Sequence, residues 1–249
     1  MDYDKYAALW QAKKQSSSHY AHEYLEKPAM YKLLGDVKDK KILDLGCGSG
    51  EDVEKLRINN EVVGLDYSHE LLTLAEFNNP DTVFWCVDLN KDRLPNDVQF
   101  DIVFSSLTVH YIQDWNQLFK QLNTVLGPNG RVLISTHHPL KWGSKVDKNK
   151  TSNEFKIGYK KDKNASKSYE IYGDYLNTYP IQDKLFQQLE VTYYNRSISE
   201  MFKVFNDNGF RVNNLLEPKP IEESKLVVPD FYEVHSKIPL FVVWELVKK

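Results

Sequence analysis

Short apolar runs alternate with amphipathic segments between residues 40 and 136. Five runs have the length and β-branched content of buried strands, at 40–45, 61–66, 82–88, 100–107 and 131–138. Helical periodicity occurs between them at 51–58, 68–78 and 115–126. The alternation resumes with a helix at 197–209 and strands at 210–218 and 239–249. We therefore predict an α/β fold with a doubly wound, mostly parallel, seven-stranded sheet.

Residues 139–196 interrupt this rhythm. The stretch 141–167 holds nine lysines against three acidic residues, and a tyrosine-rich part follows it. This composition predicts an inserted cap segment over 139–196, while 1–138 and 197–249 form the core and 1–35 form a helical N-terminal lid. We expect the cap to hold the substrate. A solvated lysine-rich loop is the alternative for its first half.

Composition narrows the classes of partner. The chain has 249 residues, of which 41% are hydrophobic, and 32 basic residues are balanced by 35 acidic ones. That balance argues against nucleic acid as a partner for the chain as a whole. No apolar window approaches the roughly 18 residues of a membrane span, and no export signal is evident, so we expect a cytoplasmic protein. Cys47 and Cys86 are then expected to be free thiols.

A glycine loop, Gly46-Cys47-Gly48-Ser49-Gly50, follows the first predicted strand. A dinucleotide-binding fingerprint needs a glycine at position 51, which is Glu51, and a Walker loop needs a lysine that is absent here. Asp44 and Asp52 flank the loop and disfavour a phosphate. The loop suits a positively charged small molecule such as S-adenosylmethionine. A tight turn without a ligand is the alternative.

Acidic residues end three successive predicted strands. Asp44, Asp66 and Asp88 lie at the ends of the first, second and third of them. In doubly wound sheets, ligands bind at the carboxyl ends of the strands, and an acid after the second strand bonds the ribose hydroxyls. Asp88 is suitably located for an adenine amino group. Alone, Asp66 could be a neighbour of a helix cap and Asp88 a turn residue, but together they predict a nucleoside site.

These motifs resemble the class I S-adenosylmethionine-dependent methyltransferases, close to the small-molecule branch called methyltransferase type 11. The resemblance rests on "LDLGCGSG", "GLDYS", "VDLN", "FDIVFSSLTVHYIQDW" and "LNTVLGPNGRVLIST". It implies a sheet that ends in an antiparallel pair. It also implies the residues that contact S-adenosylmethionine or its product S-adenosylhomocysteine, namely Tyr20, Asp44, Gly46, Cys47, Gly48, Gly50, Asp66, Tyr67, Asp88, Leu89, Ser105 and Leu107.

Methyl transfer from a sulfonium is an in-line displacement, so positioning matters more than a catalytic triad. A base is needed only where the acceptor binds with its proton, and His110 is our first candidate, followed by His137. His137 and His138 are adjacent on a strand and point to opposite faces, so we predict no metal site.

We expect an enzyme that methylates an O, N or C atom of a small molecule. The alternatives are an RNA or tRNA methyltransferase, a nicotinamide-dependent oxidoreductase, which Glu51 disfavours, and a binding protein without turnover. The acceptor and the oligomeric state are not readable from the sequence.

Overall fold

A computed structural model describes residue 4 and residues 19–148, 153–161, 169–185 and 188–249. In chain order its strands are β1 (Lys41–Leu45), β2 (Glu61–Asp66), β3 (Val83–Cys86), β4 (Phe100–Ser105), β5 (Leu126–His137), β6 (Lys145–Lys148), β7 (Asn153–Lys156), β8 (Gly158–Lys161), β9 (Tyr169–Tyr172), β10 (Tyr179–Leu185), β11 (Leu189–Asn195), β12 (Phe210–Leu216) and β13 (Phe241–Lys248). The α-helices are α1 (Lys27–Leu34), α2 (Glu51–Leu56), α3 (His69–Asn78), α4 (Trp115–Val125), α5 (Pro139–Trp142), α6 (Ile198–Asp207), α7 (Ser224–Val227) and α8 (Pro229–His235). A π-helical turn, His22–Glu26, runs directly into α1, and a 3-10 turn covers Val109–Tyr111.

Seven strands form one sheet in the order β3-β2-β1-β4-β5-β13-β12. The pairs β1–β2, β2–β3, β1–β4 and β4–β5 are parallel, whereas β13 runs antiparallel to both β5 and β12. The predicted doubly wound, mostly parallel sheet with an antiparallel pair at its end is therefore confirmed. The order reverses between β1 and β4, which is where such sheets bind ligands.

Neighbouring residues of each strand supply opposite faces of the sheet. On one face, Ile42 of β1 packs with Met30 of α1 and Val53 of α2. On the other face, Leu43 belongs to a larger cluster that includes Trp115 of α4 and Phe205 of α6. Both faces are covered, which explains why the strands read as continuous apolar runs rather than as alternating ones.

Side-chain caps start the predicted helices where the sequence indicates. The Ser68 hydroxyl accepts a hydrogen bond from Leu71 N at 3.2 Å, and the Ser197 hydroxyl accepts one from Glu200 N at 3.3 Å. The largest difference from the predicted boundaries is in β5, which begins at Leu126 rather than at residue 131. Its Gly-Pro-Asn-Gly segment, with Asn129 at φ +59°, is a register shift within the strand pairing instead of a separate turn.

Within the range predicted as a cap, the described residues form α5 and three antiparallel hairpins, β6–β7, β8–β9 and β10–β11. The β10–β11 hairpin buries Val191 and Tyr193 against Leu71 at the start of α3. It therefore covers the carboxyl end of the sheet. The other two hairpins are exposed in their described parts.

No helix in the described part of the chain is long and apolar enough to cross a membrane.

Candidate functional site

The glycine loop lies between β1 and α2, at the carboxyl end of the sheet. The backbone N–H groups of Gly46 and Cys47 both donate to Leu65 O of β2, at 2.7 and 2.9 Å. Gly46 has φ +80°, and a Cβ there would lie 2.1 Å from Thr108 Oγ1. Gly48 also has a positive φ, +53°, yet a Cβ there would meet nothing within 4 Å. The loop is thus packed against Thr108 at Gly46, whereas the space next to the Gly48 Cα contains no protein atoms.

Asp66, the last residue of β2, is bonded to this loop. Its Oδ2 accepts a hydrogen bond from Gly48 N at 3.0 Å, and its Oδ1 accepts one from Ser68 N at 2.9 Å. Burial raises the pKa of the Asp66 carboxyl, and the two backbone donors work against that rise. Each oxygen keeps a further lone pair, so the carboxylate can still accept hydroxyl groups.

Replacing Asp66 with alanine is expected to weaken binding of S-adenosylhomocysteine by roughly 1–3 kcal/mol, because a charged acceptor and a loop contact are both lost. Isothermal titration calorimetry measures the change. Asp81→Ala, at an exposed position after α3, is the matched control and should bind like the wild type. Unchanged affinity in the Asp66 variant would contradict the ribose assignment.

Asp44 lies in the middle of the predicted site with one carboxylate oxygen unused. The residue is 1% exposed, and its buried Oδ2 has no hydrogen-bond partner. Burial, followed by the nearby charge of Asp52, raises the pKa of Asp44 well above its ordinary value, while Lys27 opposes the rise. A buried carboxylate without a partner is costly, so this atom fits a position that receives an ammonium group.

The residues at the end of the third predicted strand have contacts within the protein that do not require a ligand. Asp88 Oδ1 accepts from Asn90 N at 3.0 Å, and Lys91 Nζ lies 2.7 Å from Asp88 Oδ2. Leu89 is buried in the large core cluster, and Tyr67 packs against the cluster around Leu71. These contacts fit a turn and a core as well as an adenine pocket, so the adenine roles of Asp88, Leu89 and Tyr67 stay predictions.

The end of β4 is joined to the glycine loop and to β5. The Ser105 hydroxyl donates to Leu45 O at 2.8 Å, directly before the glycine loop. Leu107 adopts φ +48°, and its N–H donates to Ser135 Oγ at 2.9 Å. The Ser105 hydroxyl is thus already used by the backbone, and the cofactor roles of Ser105 and Leu107 stay predictions.

Two further predicted residues lie at the edges of this region. Cys47 is buried, and burial raises the pKa of its thiol well above the usual range, so it acts as packing rather than as a nucleophile. Tyr20 is half-buried before the π-helical turn, with its ring 6.0 Å from that of Tyr24. Both cysteines are free thiols, as predicted. The cofactor roles of Tyr20 and Cys47 stay predictions.

A charged cluster between the N-terminal helix and α2 was missed from the sequence. Lys27 forms a tight ion pair with Asp52, whose Oδ1 also accepts from Tyr31 OH at 2.5 Å. Burial disfavours these charges, but the pair raises the pKa of Lys27 and lowers that of Asp52. Lys27 and Tyr31 are four residues apart on one helix face, a spacing that could have indicated their shared partner.

Glu26 is the second missed residue and is fully buried. Its Oε1 accepts from Ser106 Oγ at 3.0 Å and from Ser135 Oγ at 2.5 Å, at the ends of β4 and β5. Its Oε2 has no hydrogen-bond partner and lies 3.8 Å from His22 Nδ1. Burial is the main reason that the pKa of Glu26 is raised to about 7. The sequence signal is its position four residues before the buried Met30, on the apolar helix face.

His110 and His137, the predicted bases, belong to an aromatic stack. Their ring centroids are 3.7 Å apart, and His137 stacks on Trp142 at the same distance. Burial lowers the pKa of His110 to about 3 and that of His137 well below its ordinary value. A group with so low a pKa is a weak proton acceptor at neutral pH. Their role as bases stays a prediction that this environment does not favour.

His138 takes a structural role apart from its neighbour. Its Nδ1 accepts from Leu140 N at 3.1 Å, so Nε2 carries the proton and donates to Glu217 Oε1 at 2.7 Å. The described residues contain no group of three or more His, Cys, Asp or Glu side chains that could hold a metal ion.

The sheet order, the glycine loop and the acids at the ends of β1 and β2 define a methyltransferase fold of the class I type. Residues 43–134 match the family described as "Methyltransferase domain". These residues therefore form a class I S-adenosylmethionine-dependent methyltransferase domain, and the resemblance to the type 11 branch is confirmed.

Three known proteins illustrate the similarity. An uncharacterised protein of Haemophilus influenzae is 32% identical over 162 residues, which cover 59% of this chain and 63% of its own. A malonyl-[acyl-carrier protein] O-methyltransferase of Bacillus cereus is 26% identical over 49% of this chain and 48% of its own. The chain thus spans between about half and two thirds of these relatives. A crystal structure of an S-adenosylmethionine-dependent methyltransferase from Mesorhizobium loti has a TM-score of 0.74 and 26% identity, with 90% of this chain and 97% of that chain covered.

Proposed function

We propose that this protein transfers the methyl group of S-adenosylmethionine to an O, N or C atom of a small molecule. The observation that carries the proposal is the buried Oδ2 of Asp44, which has no hydrogen-bond partner and lies on the strand that leads into the glycine loop. Within that loop, a Cβ on Gly48 would meet no protein atom within 4 Å. A buried carboxyl oxygen without a donor is stabilised in its ionised form by a cationic partner, and the amino group of the cofactor supplies one.

The residues of the loop fit the rest of the cofactor. Gly46 and Gly48 let the backbone approach the amino-acid part, and Asp66 is available to the ribose. The predicted roles of Tyr67, Asp88 and Leu89 at the adenine remain part of the proposal. When bound, the cofactor supplies an electrophilic methyl group on a positively charged sulfur.

The chain's own contribution is to position the reactants and to exclude water. The lid residue Leu25 packs on Leu240 and Phe241, while the β10–β11 hairpin covers the carboxyl end of the sheet. Such covering restricts water and orients the acceptor for in-line attack. A cavity of about 10 Å³ beside His137 and Trp142, about the size of one water molecule, lies under this cap. Acceptor binding in this proposal therefore includes movement of the hairpin.

A small acceptor is favoured over a nucleic acid. Acidic residues outnumber basic ones by 35 to 32 in the whole chain, so its net charge does not favour binding to phosphate backbones. The relative from Bacillus cereus is named for a malonyl group on an acyl-carrier protein. A cytoplasmic location, as expected from the sequence, is also part of the proposal. Cell fractionation tests this location.

The test uses isotope-labelled S-adenosylmethionine with two substrate pools, a low-molecular-weight metabolite fraction and bulk tRNA. We expect label to enter the metabolite fraction with the wild type and not with Gly48→Ala. Label in tRNA would support the RNA alternative instead. Cofactor binding without label in either pool would support a binding protein without turnover.

A further inference from the structure

Glu26 is a buried acid at the point where three parts of the site meet. Ser106 directly follows β4, and its neighbour Ser105 is bonded to the backbone before the glycine loop. Ser135 lies near the end of β5 and also accepts the Leu107 N–H. Both serines donate to the same oxygen of Glu26, so its carboxyl group is fixed at the junction of β4, β5 and the N-terminal helix.

The fixed geometry leaves the second oxygen available. Oε2 is buried without a hydrogen-bond partner, whereas Oε1 has two donors. A purely structural role, in which Glu26 joins the helix to the sheet, would need only Oε1 and its two donors. Oε2 would then be removed from water with no hydrogen bond to offset the cost of desolvation. A buried polar atom without a partner needs an explanation, and a ligand group that completes its bonding is one.

We propose that Glu26 is the proton acceptor of the reaction, with Oε2 facing an O–H or N–H group of the methyl acceptor and Ser106 and Ser135 holding Oε1. The inference rests on the proposed function. As the acceptor atom uses its electron pair to bond the methyl carbon, the C–S bond breaks and its electrons stay on sulfur. The proton released by the acceptor goes to Glu26 Oε2, so charge and atoms balance.

The surroundings of Glu26 suit this task. Burial raises its pKa to about 7, Asp52 adds to the rise, and Lys27 opposes it. His22 faces Oε2 from the same helix, and the strands contribute only the two serine hydroxyls to its hydrogen bonding. A carboxylate whose pKa lies near neutrality accepts a proton more readily than an ordinary one and remains ionised in slightly basic solution.

The test needs no knowledge of the acceptor. Sinefungin carries an amino group at the position of the transferred methyl, whereas S-adenosylhomocysteine carries nothing there, and both share the same amino-acid ammonium. We expect Glu26→Gln to weaken the binding of sinefungin by about tenfold or more. The affinity for S-adenosylhomocysteine should change by less than about threefold. Glu23→Gln, exposed one turn earlier, is the matched control and should change neither affinity.

The pH dependence of the wild type gives an independent readout. Because Glu26 ionises as pH rises through about 7, the preference for sinefungin should grow between about pH 6 and pH 8 and should be flat in Glu26→Gln. His22→Gln should keep this growth, which separates the effect of Glu26 from that of the neighbouring imidazole.

The other outcomes are distinct. An equal loss of affinity for both ligands in Glu26→Gln would indicate that Glu26 binds the ammonium group that the two ligands share, which would overturn the inference. Unchanged affinities in that variant, or a wild-type preference that does not vary with pH, would also overturn it. Failure of the wild type to bind either ligand would instead contradict the proposed function. If Glu26→Gln does not fold, the wild-type pH series still decides.

Discussion

Gly48→Ala is expected to fold and to lose binding of S-adenosylhomocysteine by at least about 100-fold, or about 2.7 kcal/mol. A Cβ on Gly48 meets no protein atom within 4 Å, so the new methyl group enters the space assigned to the ligand. The folding cost is limited to the left-handed backbone at φ +53°, about 1–2 kcal/mol. Calorimetry and urea unfolding measure the two effects separately.

Two other glycine-to-alanine variants serve as comparisons for Gly48→Ala. Gly46→Ala is expected to destabilise the fold by about 3 kcal/mol or more, because its Cβ would lie 2.1 Å from Thr108 Oγ1. Gly35→Ala also adds a Cβ at positive φ into open space, but outside the loop, and should retain binding. If Gly35→Ala and Gly48→Ala lost binding equally, the effect would be global and the assignment of the loop would be contradicted.

Asp44→Asn is expected to stabilise the unliganded protein by about 1 kcal/mol and to weaken S-adenosylhomocysteine by about 2 kcal/mol. A buried acid whose folded pKa is raised costs stability once pH exceeds its unfolded value near 4, and asparagine removes that cost. The same asparagine cannot supply a negative charge to the ammonium. Urea unfolding without ligand measures the expected gain in stability, and calorimetry with ligand measures the expected loss of binding affinity.

Asp52→Asn is the matched control for this prediction. The pKa of Asp52 is lowered and the residue is paired with Lys27 and Tyr31, so its stabilising contribution is present above the unfolded pKa and is lost as pH falls. Its replacement should therefore destabilise the protein, by about 3 kcal/mol for a broken buried pair. Destabilisation by Asp44→Asn of similar size would show that Asp44 also has a structural partner.

Proton release provides a second check on Asp44. Binding of a cation next to Asp44 favours its ionised form, so complex formation should release a proton where the free carboxyl is protonated. Titration in two buffers of different ionisation enthalpy measures the release. It should be present in the wild type and absent in Asp44→Asn.

The central strands of the core sheet were predictable because they are buried on both faces. Continuous apolar runs such as that of β2 need no tertiary information, and its bounds match the prediction at residues 61–66. Local hydrogen-bonding residues likewise gave the helix starts after Ser68 and Ser197. The start of β5 was not predictable, since Gly-Pro-Asn-Gly has the composition of a turn but lies in the strand pairing.

The β8–β9 hairpin and the burial of Glu26 were not predictable, because neither follows an alternation of buried apolar and exposed polar residues. All residues of β8 are exposed, so its sequence carries no alternation that would mark it as a strand. Glu26 and Lys27 are adjacent charges in a helix, a pattern typical of a surface. Only packing against Ser106 and Ser135 reveals that Glu26 is buried.

The catalytic assignment shows the same limit. His110 follows β4 as expected for a base, but the sequence does not show that it stacks on His137 beneath Tyr193. Burial then lowers the pKa of His110 to about 3, whereas it raises that of Glu26 to about 7. Desolvation therefore favours the carboxyl group over the imidazole as the proton acceptor near neutral pH.

Titration of the purified wild-type protein with S-adenosylhomocysteine, with NAD as the comparison ligand, tests the central claim most directly. The account predicts binding of one S-adenosylhomocysteine per chain, with a dissociation constant in roughly the micromolar range, and no heat from NAD. Absence of S-adenosylhomocysteine binding at about millimolar concentrations, or equal binding of NAD, would contradict it.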